Sequence, residues 1–560
     1  MVYVYIKKSK INNYVGKELS VEEIKQILMD MGMDIKGQSD DTDPELKVEI
    51  TSEKLDMVSA VGIARAIKFY GNFENKIPQY DIESSGYQLI VKKTAKQSRP
   101  RTVCAILKDV PMTDDFLEEM IDIQEKIHDS FGRGRKKGAI GIYPLDKIKF
   151  PITFSAQKPE DIIFQPLEHH EKINANQILE IHPTGRKYAH LLKQCDLYPV
   201  FRDADDKILS MPPIINSQDL GKVEKKHKDL FIECSGFNIS HLDNILKVLM
   251  TTFIDLGAKA QSVEVIYEDT NETYNLDLTL KEDEIDLGFV CKWIGIQIDI
   301  NKAQELLTKM MYKVLNIEGN IIKIGIPPFR SDIWHEVDIA DDIARAYGYN
   351  NITPKFPKVS SIGGILDFST FKENFSQSLV SLGFLETYTY MLTSTITQFK
   401  KFNKSEKDEE YIRLNNTQEQ GLNMIRTMIL PESLTTLHIN RKNSYPQKIF
   451  ENGFTIKVDE TKDTLSRDDS HLCVCIADPK SNYTQIKGIL DTLLKLNEIN
   501  FKVKDSQENF LIEGRRGNIF VKGENVGFIG EIHPSILENF GLIIPVSALE
   551  INLSKLYKLT

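Results

Sequence analysis

The stretch "FRSDIWHEVDIADDIARAYGYN", Phe329 to Asn350, decides how the chain is read. It carries five acids, Asp332, Glu336, Asp338, Asp341 and Asp342, and runs into Tyr347-Gly348-Tyr349-Asn350. A helix turns by about 100° per residue. Over Val337 to Tyr347 this places Asp338, Asp341, Asp342 and Arg345 on one stripe, with Val337, Ala340, Ala344 and Tyr347 opposite, flanked by Ile339, Ile343 and Ala346. The spacing therefore predicts an amphipathic helix, with Asp332 just upstream on a loop that can fold over the same stripe. Like charges at i, i+3 and i+4 cost ~0.2–0.5 kcal/mol each in water, and more if the face is buried. A solvated face eased by the Asp341–Arg345 pair and by the helix dipole answers that cost. A hard oxygen-seeking cation, Mg²⁺ or Ca²⁺, is the other answer.

Outward from this helix, 560 residues exceed a single domain. The expected class is multidomain α+β, in four parts. These are a small N-terminal α+β domain (1–90), a central α+β domain (91–267), a small α+β domain ending in the acidic helix (268–355), and a C-terminal domain (356–560). Thr353–Ser361, "TPKFPKVSS", has linker composition. In the first part, "LSVEEIKQILMDMG" predicts a helix with Ser20 as cap, Glu23 completing a capping box and Gly32 as the stop. "LDMVSAVGIARAIKFYGN" predicts a second helix, ending at Gly71. In the second part, "TVCAILKDV" and "DLFIECSGF" read as strands, "TDDFLEEMIDIQEKIHDSF" and "LDNILKVLMTTFIDLG" as helices. "KKFNKSEKDEE" reads as an exposed loop of the last part.

The net charge of −11 argues against a free-standing duplex-DNA binder, though not against local basic patches. The cations of Gly132–Gly138, "GRGRKKG", form either a solvated turn or a phosphate-contacting loop. Six scattered cysteines without metal spacing point to reduced thiols and a cytoplasmic location. Cys473 and Cys475 alternate along a strand, which favours a core position. No apolar run reaches the length of a membrane span, and no signal-peptide pattern is present. Phosphate-loop, H-E-x-x-H and G-x-S-x-G motifs are absent.

Ile326–Ile352, "IPPFRSDIWHEVDIADDIARAYGYNNI", closely resembles a segment of the phenylalanyl-tRNA synthetase β-subunit family of archaeal and eukaryotic cytosolic type. The matching positions are Pro327, Pro328, Arg330, Asp332, Ile333, His335, Asp338, Ile339, Asp342, Ala344, Ala346 and "YGYNNI"; Asp341 stands where the family usually has Glu. Further stretches resemble the family in the same order: Glu49–Asn72, Phe131–Ile148, Ile208–Ser217, Leu230–Asn238, Ile425–Leu434, Asn440–Gly453 and Gly527–Leu553. Two departures stand out: Ser52-Glu53-Lys54 replaces the usual Asn-Arg-Pro, and Tyr143-Pro144 replaces a usual His-Asp.

The resemblance implies a winged-helix-like fold around the acidic helix and an inactive class II synthetase-like antiparallel sheet in the last domain. It assigns Asp332, Asp338, Asp341 and Asp342 to a Mg²⁺ shared with an α subunit. It implies an α2β2 heterotetramer serving tRNA(Phe), with ATP and phenylalanine bound mainly by α, so no catalytic residue for activation is expected in this chain. Arg426 and Arg441 are candidates for activation by residue type alone. The central domain is expected to clear mischarged Tyr-tRNA(Phe), because a phenylalanine pocket admits tyrosine and a second site must read the hydroxyl. Glu233 and Ser235 alternate onto one face of "FIECSG", and "SMPPIIN" forms a wall that brings in Asn216; these three are the editing candidates. The competing reading is a synthetase-like paralogue, or a stand-alone carboxylate-metal protein, with a role outside translation.

Overall fold

The computed structural model describes residues 2–407, 409–417 and 421–560. Asp408, within the predicted loop at 400–410, lies outside the described residues. The chain forms two compact units, Met1–Phe356 and Pro357–Thr560.

The first unit opens with a three-stranded antiparallel sheet in the order Val2–Lys7, Glu45–Ile50, Asp34–Gln38. The helix Val21–Asp30 begins at the expected capping box, Ser20 with Glu23. The second predicted helix starts later than its sequence suggests, at Ala60, and runs to Tyr70. Leu55–Met57 form a short 3-10 turn instead, and Ser59 accepts from the Gly62 N–H. A Cβ on Gly62 would lie 1.8 Å from the Asp56 carbonyl oxygen, so glycine is what lets this turn close.

The middle of the unit is a ten-stranded sheet. Its path runs Ile215–Asn216, Ile208–Met211, Tyr198–Arg202, Ile152–Gln157, Ile82–Val91, Lys259–Tyr267, Arg101–Lys108, Leu230–Gly236, Gly138–Pro144, and the tenth strand, Thr273–Tyr274, pairs with Lys259–Tyr267 off this path. Ile82–Val91 pairs in parallel with both its neighbours; the other pairings along the path are antiparallel. Asn216 Nδ2 donates to Ile142 O at 3.4 Å, so the two end strands approach each other and the sheet curls around its own interior. Alternation divides the strand Leu230–Gly236. Leu230, Ile232 and Cys234 join the core under the helices Asp114–Asp129 and Ile239–Asp255, and Phe231 packs inside the curl with Tyr143, Phe154 and Phe201.

The unit ends in a three-stranded antiparallel sheet, Lys281–Asp286, Ile321–Ile326, Lys313–Glu318, with the helices Leu287–Ile294 and Ile300–Lys309. The acidic helix spans Glu336–Tyr347 and buries Ile339, Ala340, Ile343 and Ala346 against these elements. Residues 353–366 carry neither helix nor strand.

The second unit is built on a seven-stranded sheet: Leu385–Glu386, Gln447–Val458, Ser466–Ala477, Val546–Asn552, Glu524–Ile532, Leu511–Val521, Lys502–Lys504. Only its first pairing is parallel. Asp367–Ser381 and Tyr483–Leu496 cover one face through Phe375, Leu379, Ile486 and Leu490. Leu430–Ile439 covers the other, where Cys473 and Cys475 lie fully buried. The whole is a mixed α+β, multi-sheet architecture, and among the described residues no helix is long and apolar enough to cross a membrane.

Candidate functional site

A cavity of about 420 Å³ opens at the sheet seam, between the helix Asp114–Asp129, the end strand Gly138–Pro144 and the Ser210–Asn216 segment. Pro212, Pro213, Ile214 and Ile215 form its wall, and Asn216 and Glu233 line it. Ser235 does not line it. That side chain is fully buried on the same strand face, and its carbonyl accepts from Arg99 Nη2 at 2.5 Å.

Glu233 Oε1 lies 3.2 Å from the Tyr143 hydroxyl, which also contacts Ser210 Oγ at 2.7 Å and Asn216 Oδ1 at 3.5 Å. A Cβ at Gly141 would sit 2.4 Å from Glu233 Oε1 and 2.3 Å from the Tyr143 hydroxyl, so this network needs glycine at 141. Burial pushes the Glu233 carboxyl up to about 8, although the Tyr143 O–H and the Arg99 charge pull the other way. At neutral pH Glu233 is thus a carboxylic acid, able to donate as well as accept. Its Oε2 has no hydrogen-bond partner among the described residues. Burial likewise lowers the Arg99 guanidinium, to about 10.

The cavity rim holds residues that periodicity had only marked as helix or basic loop. His128 is buried and accepts the Ile140 N–H on Nε2 at 2.9 Å. Its Nδ1 stands 3.2 Å from Glu125 Oε1, and burial lowers the imidazole, which stays neutral and donates to Glu125. Arg135 binds Glu125 at 3.0 Å and donates to Ile214 O at 3.1 Å, tying the proline wall to the helix. Hydrogen bonds from His128 and Arg135 hold Glu125 down at about 2 against its burial. Of the basic stretch 132–138, Arg133, Lys136 and Lys137 remain exposed near this rim.

The acidic helix has its four singled-out carboxylates in three separate sets. Asp332 accepts from Arg330 Nε at 2.8 Å and Nη2 at 2.9 Å, and from Lys54 Nζ at 2.6 Å. Asp342 accepts from Arg330 Nη2 at 2.5 Å and from the Tyr312 hydroxyl at 2.6 Å, with Lys54 Nζ 3.6 Å from its other oxygen. Asp338 closes a capping box, accepting from the Trp334 and His335 N–H groups at 2.8 Å each. Asp341 pairs with Arg345 at 2.8 Å and with the Tyr349 hydroxyl at 2.5 Å. Burial would raise the Asp332 carboxyl, but Arg330 and Lys54 outweigh it and hold Asp332 far below the usual carboxylate range. Asp56, buried beside them, is raised by burial and by the Asp332 charge.

The Mg²⁺ implied by the resemblance does not fit this donor set. The oxygens of Asp332 and Asp342 already face guanidinium, ammonium and phenol donors, while Asp338 and Asp341 are turned to the helix start and to Arg345. Among the described residues no group of three or more His, Cys, Asp or Glu side chains is placed to hold a metal ion.

In the second unit Arg426 is fully buried, pairing with Glu451 at 2.7 Å and donating to Thr389 Oγ1 and Phe454 O. Arg441 reaches back to His438 O at 2.9 Å, at the end of its helix. Both arginines are engaged in structure.

Two family matches define the class as an aminoacyl-tRNA synthetase component. Residues 284–349 match the tRNA synthetase B5 domain, and residues 352–553 match the phenylalanyl tRNA synthetase beta chain CLM domain. The chain is 37% identical to the phenylalanine–tRNA ligase beta subunit of Pyrococcus horikoshii over 560 residues, 99% of each chain. It is 36% identical to that of Thermococcus sibiricus, over 99% of this chain and 98% of the relative. A crystal structure of an N-terminal fragment of the Pyrococcus horikoshii phenylalanyl-tRNA synthetase beta subunit superposes with a TM-score of 0.59 at 35% identity, covering 62% of this chain and 99% of the fragment. The chain belongs to the phenylalanine–tRNA ligase β-subunit family.

Proposed function

We propose that this chain works with an α subunit, leaves the activation of phenylalanine to it, and inspects the aminoacyl end of tRNA(Phe) in the cavity at Glu233. The observation that carries this reading is a buried acid on the wall of a cavity large enough for an amino-acid side chain. A neutral carboxyl with an unpartnered oxygen suits a tyrosine hydroxyl and has nothing to offer the bare ring of phenylalanine. Asn216 supplies a second polar group on the same wall, and exposed Arg133, Lys136 and Lys137 suit the phosphates of the tRNA 3′ end. Activation needs cations free to meet the phosphates of ATP. Arg426 and Arg441 are committed elsewhere, which supports an inactive class II-like role for the seven-stranded sheet, with ATP and its Mg²⁺ on α. By the same family analogy the 268–355 region takes a winged-helix-like part, the assembly is α2β2 and the location cytoplasmic.

The test is hydrolysis of Tyr-tRNA(Phe) and Phe-tRNA(Phe) by the complex. Glu233→Ala should reduce the preference for the tyrosyl ester by at least about tenfold, or ~1.4 kcal/mol. An unchanged preference would remove Glu233 from the reading. No hydrolysis by the unaltered complex would remove editing altogether.

A further inference from the structure

We infer that Lys54 and Arg330 are the resident counter-cations of the acidic helix, and that this chain holds the helix without a divalent metal. Three observations meet here. First, the local charges close: one ammonium and one guanidinium face Asp332 and Asp342, through contacts of 2.5 to 2.9 Å and one of 3.6 Å. All four groups are nearly buried, with side-chain exposures of 14% for Lys54, 2% for Arg330, 7% for Asp332 and 3% for Asp342. A divalent ion added among them would bring two further positive charges into a desolvated place, with Asp56 the nearby acid left to meet them.

Second, the donor set is too small. Mg²⁺ asks for about six oxygen ligands, and among the described residues no group of three or more His, Cys, Asp or Glu side chains is placed to hold a metal ion.

Third, the cation comes from the N-terminal part of the chain, where Lys54 follows Ser52-Glu53. From the same side, Arg345 Nη1 donates to Met31 O at 3.0 Å and the Tyr70 hydroxyl to Arg345 O at 2.9 Å. The helix is thereby latched to the N-terminal part of its own chain, with Lys54 spanning 278 positions of sequence to reach Asp332.

The experiment uses the complex with the α subunit, freed of nucleotide and treated with EDTA. Its thermal transition is followed with and without Mg²⁺, and bound Mn²⁺ is counted by electron paramagnetic resonance. The transition of the unaltered complex should not move on chelation, and Asp341→Asn, a change at a half-exposed side chain, should leave the Mn²⁺ count unchanged. Lys54→Met should lower the transition by several degrees, and Lys54→Arg should restore most of the loss, separating charge from packing. A Mn²⁺ lost from each chain in Asp341→Asn would overturn the inference. So would a chelation-sensitive transition restored by Mg²⁺ in the unaltered complex, or a Lys54→Met complex as stable as the parent.

Discussion

Glu233 makes a prediction that needs neither tRNA nor an α subunit. Its carboxyl titrates near 8 in the fold against an ordinary value of 4.5, chiefly because it is buried. Below pH 4.5 both folded and unfolded chains carry the proton. Between 4.5 and about 8 only the folded chain does, so stability falls as pH rises through this window, by up to ~1.36 kcal/mol per pH unit. Above 8 both are ionised and nothing further is lost. The whole effect is roughly 5 kcal/mol, large beside the 5–15 kcal/mol or so that holds a typical domain together. Glu233→Gln keeps the shape, an acceptor for the Tyr143 hydroxyl and a donor toward the cavity, but has no proton to lose. Urea unfolding of parent and variant, compared at half-unit steps from pH 5 to 8.5, isolates this one group, because every other titration cancels in the difference. The variant should gain on the parent progressively, until it is several kcal/mol more stable at pH 8.5. Parallel curves, with a difference constant across the range, would show that Glu233 is ionised in the fold and would refute the argument from burial.

Tyr143→Phe removes the hydroxyl that favours the ionised form, so the Glu233 transition should move above 8, visible as an alkaline shift in the same unfolding curves. Arg426→Ala should cost about 3–5 kcal/mol, because it strands a fully buried Glu451; replacing both by apolar residues of similar volume should recover most of that in a double-mutant cycle. The two acids of the helix should separate sharply in thermal unfolding. Asp342→Ala leaves buried Arg330 and Lys54 to share Asp332 alone, an unbalanced positive charge in a desolvated place, and should cost about 3–5 kcal/mol. Asp341→Ala breaks a half-exposed pair with Arg345 and a hydrogen bond from the exposed Tyr349 hydroxyl, and should cost about 1 kcal/mol.

What was legible in the sequence was whatever depends on a few neighbouring positions. The acidic helix, its apolar face, the Ser20–Glu23 capping box and the placing of Glu233 and Ser235 on one strand face follow from periods of 3.6 and 2. The start of the helix at Ala60 was not legible, because it hangs on the close approach of Gly62 to the Asp56 carbonyl. Alternation also could not say that Glu233 would reach the cavity while Ser235, two residues on, would not. That depends on where Gly138–Pro144 and Ile208–Met211 bring Tyr143 and Ser210. The acids of the helix show the same limit most clearly. Electrostatics required that three carboxylates on a stripe be compensated, and on paper a hard cation met that requirement, as did solvent together with the Asp341–Arg345 pair. The choice was made by Lys54, which no periodicity connects to the helix. Its side chain has meaning only once the N-terminal part folds back onto Asp332. A lysine outside any helix or strand is therefore best read beside the charges it could reach in space. Lys54 enters the charge balance of a site 278 residues away.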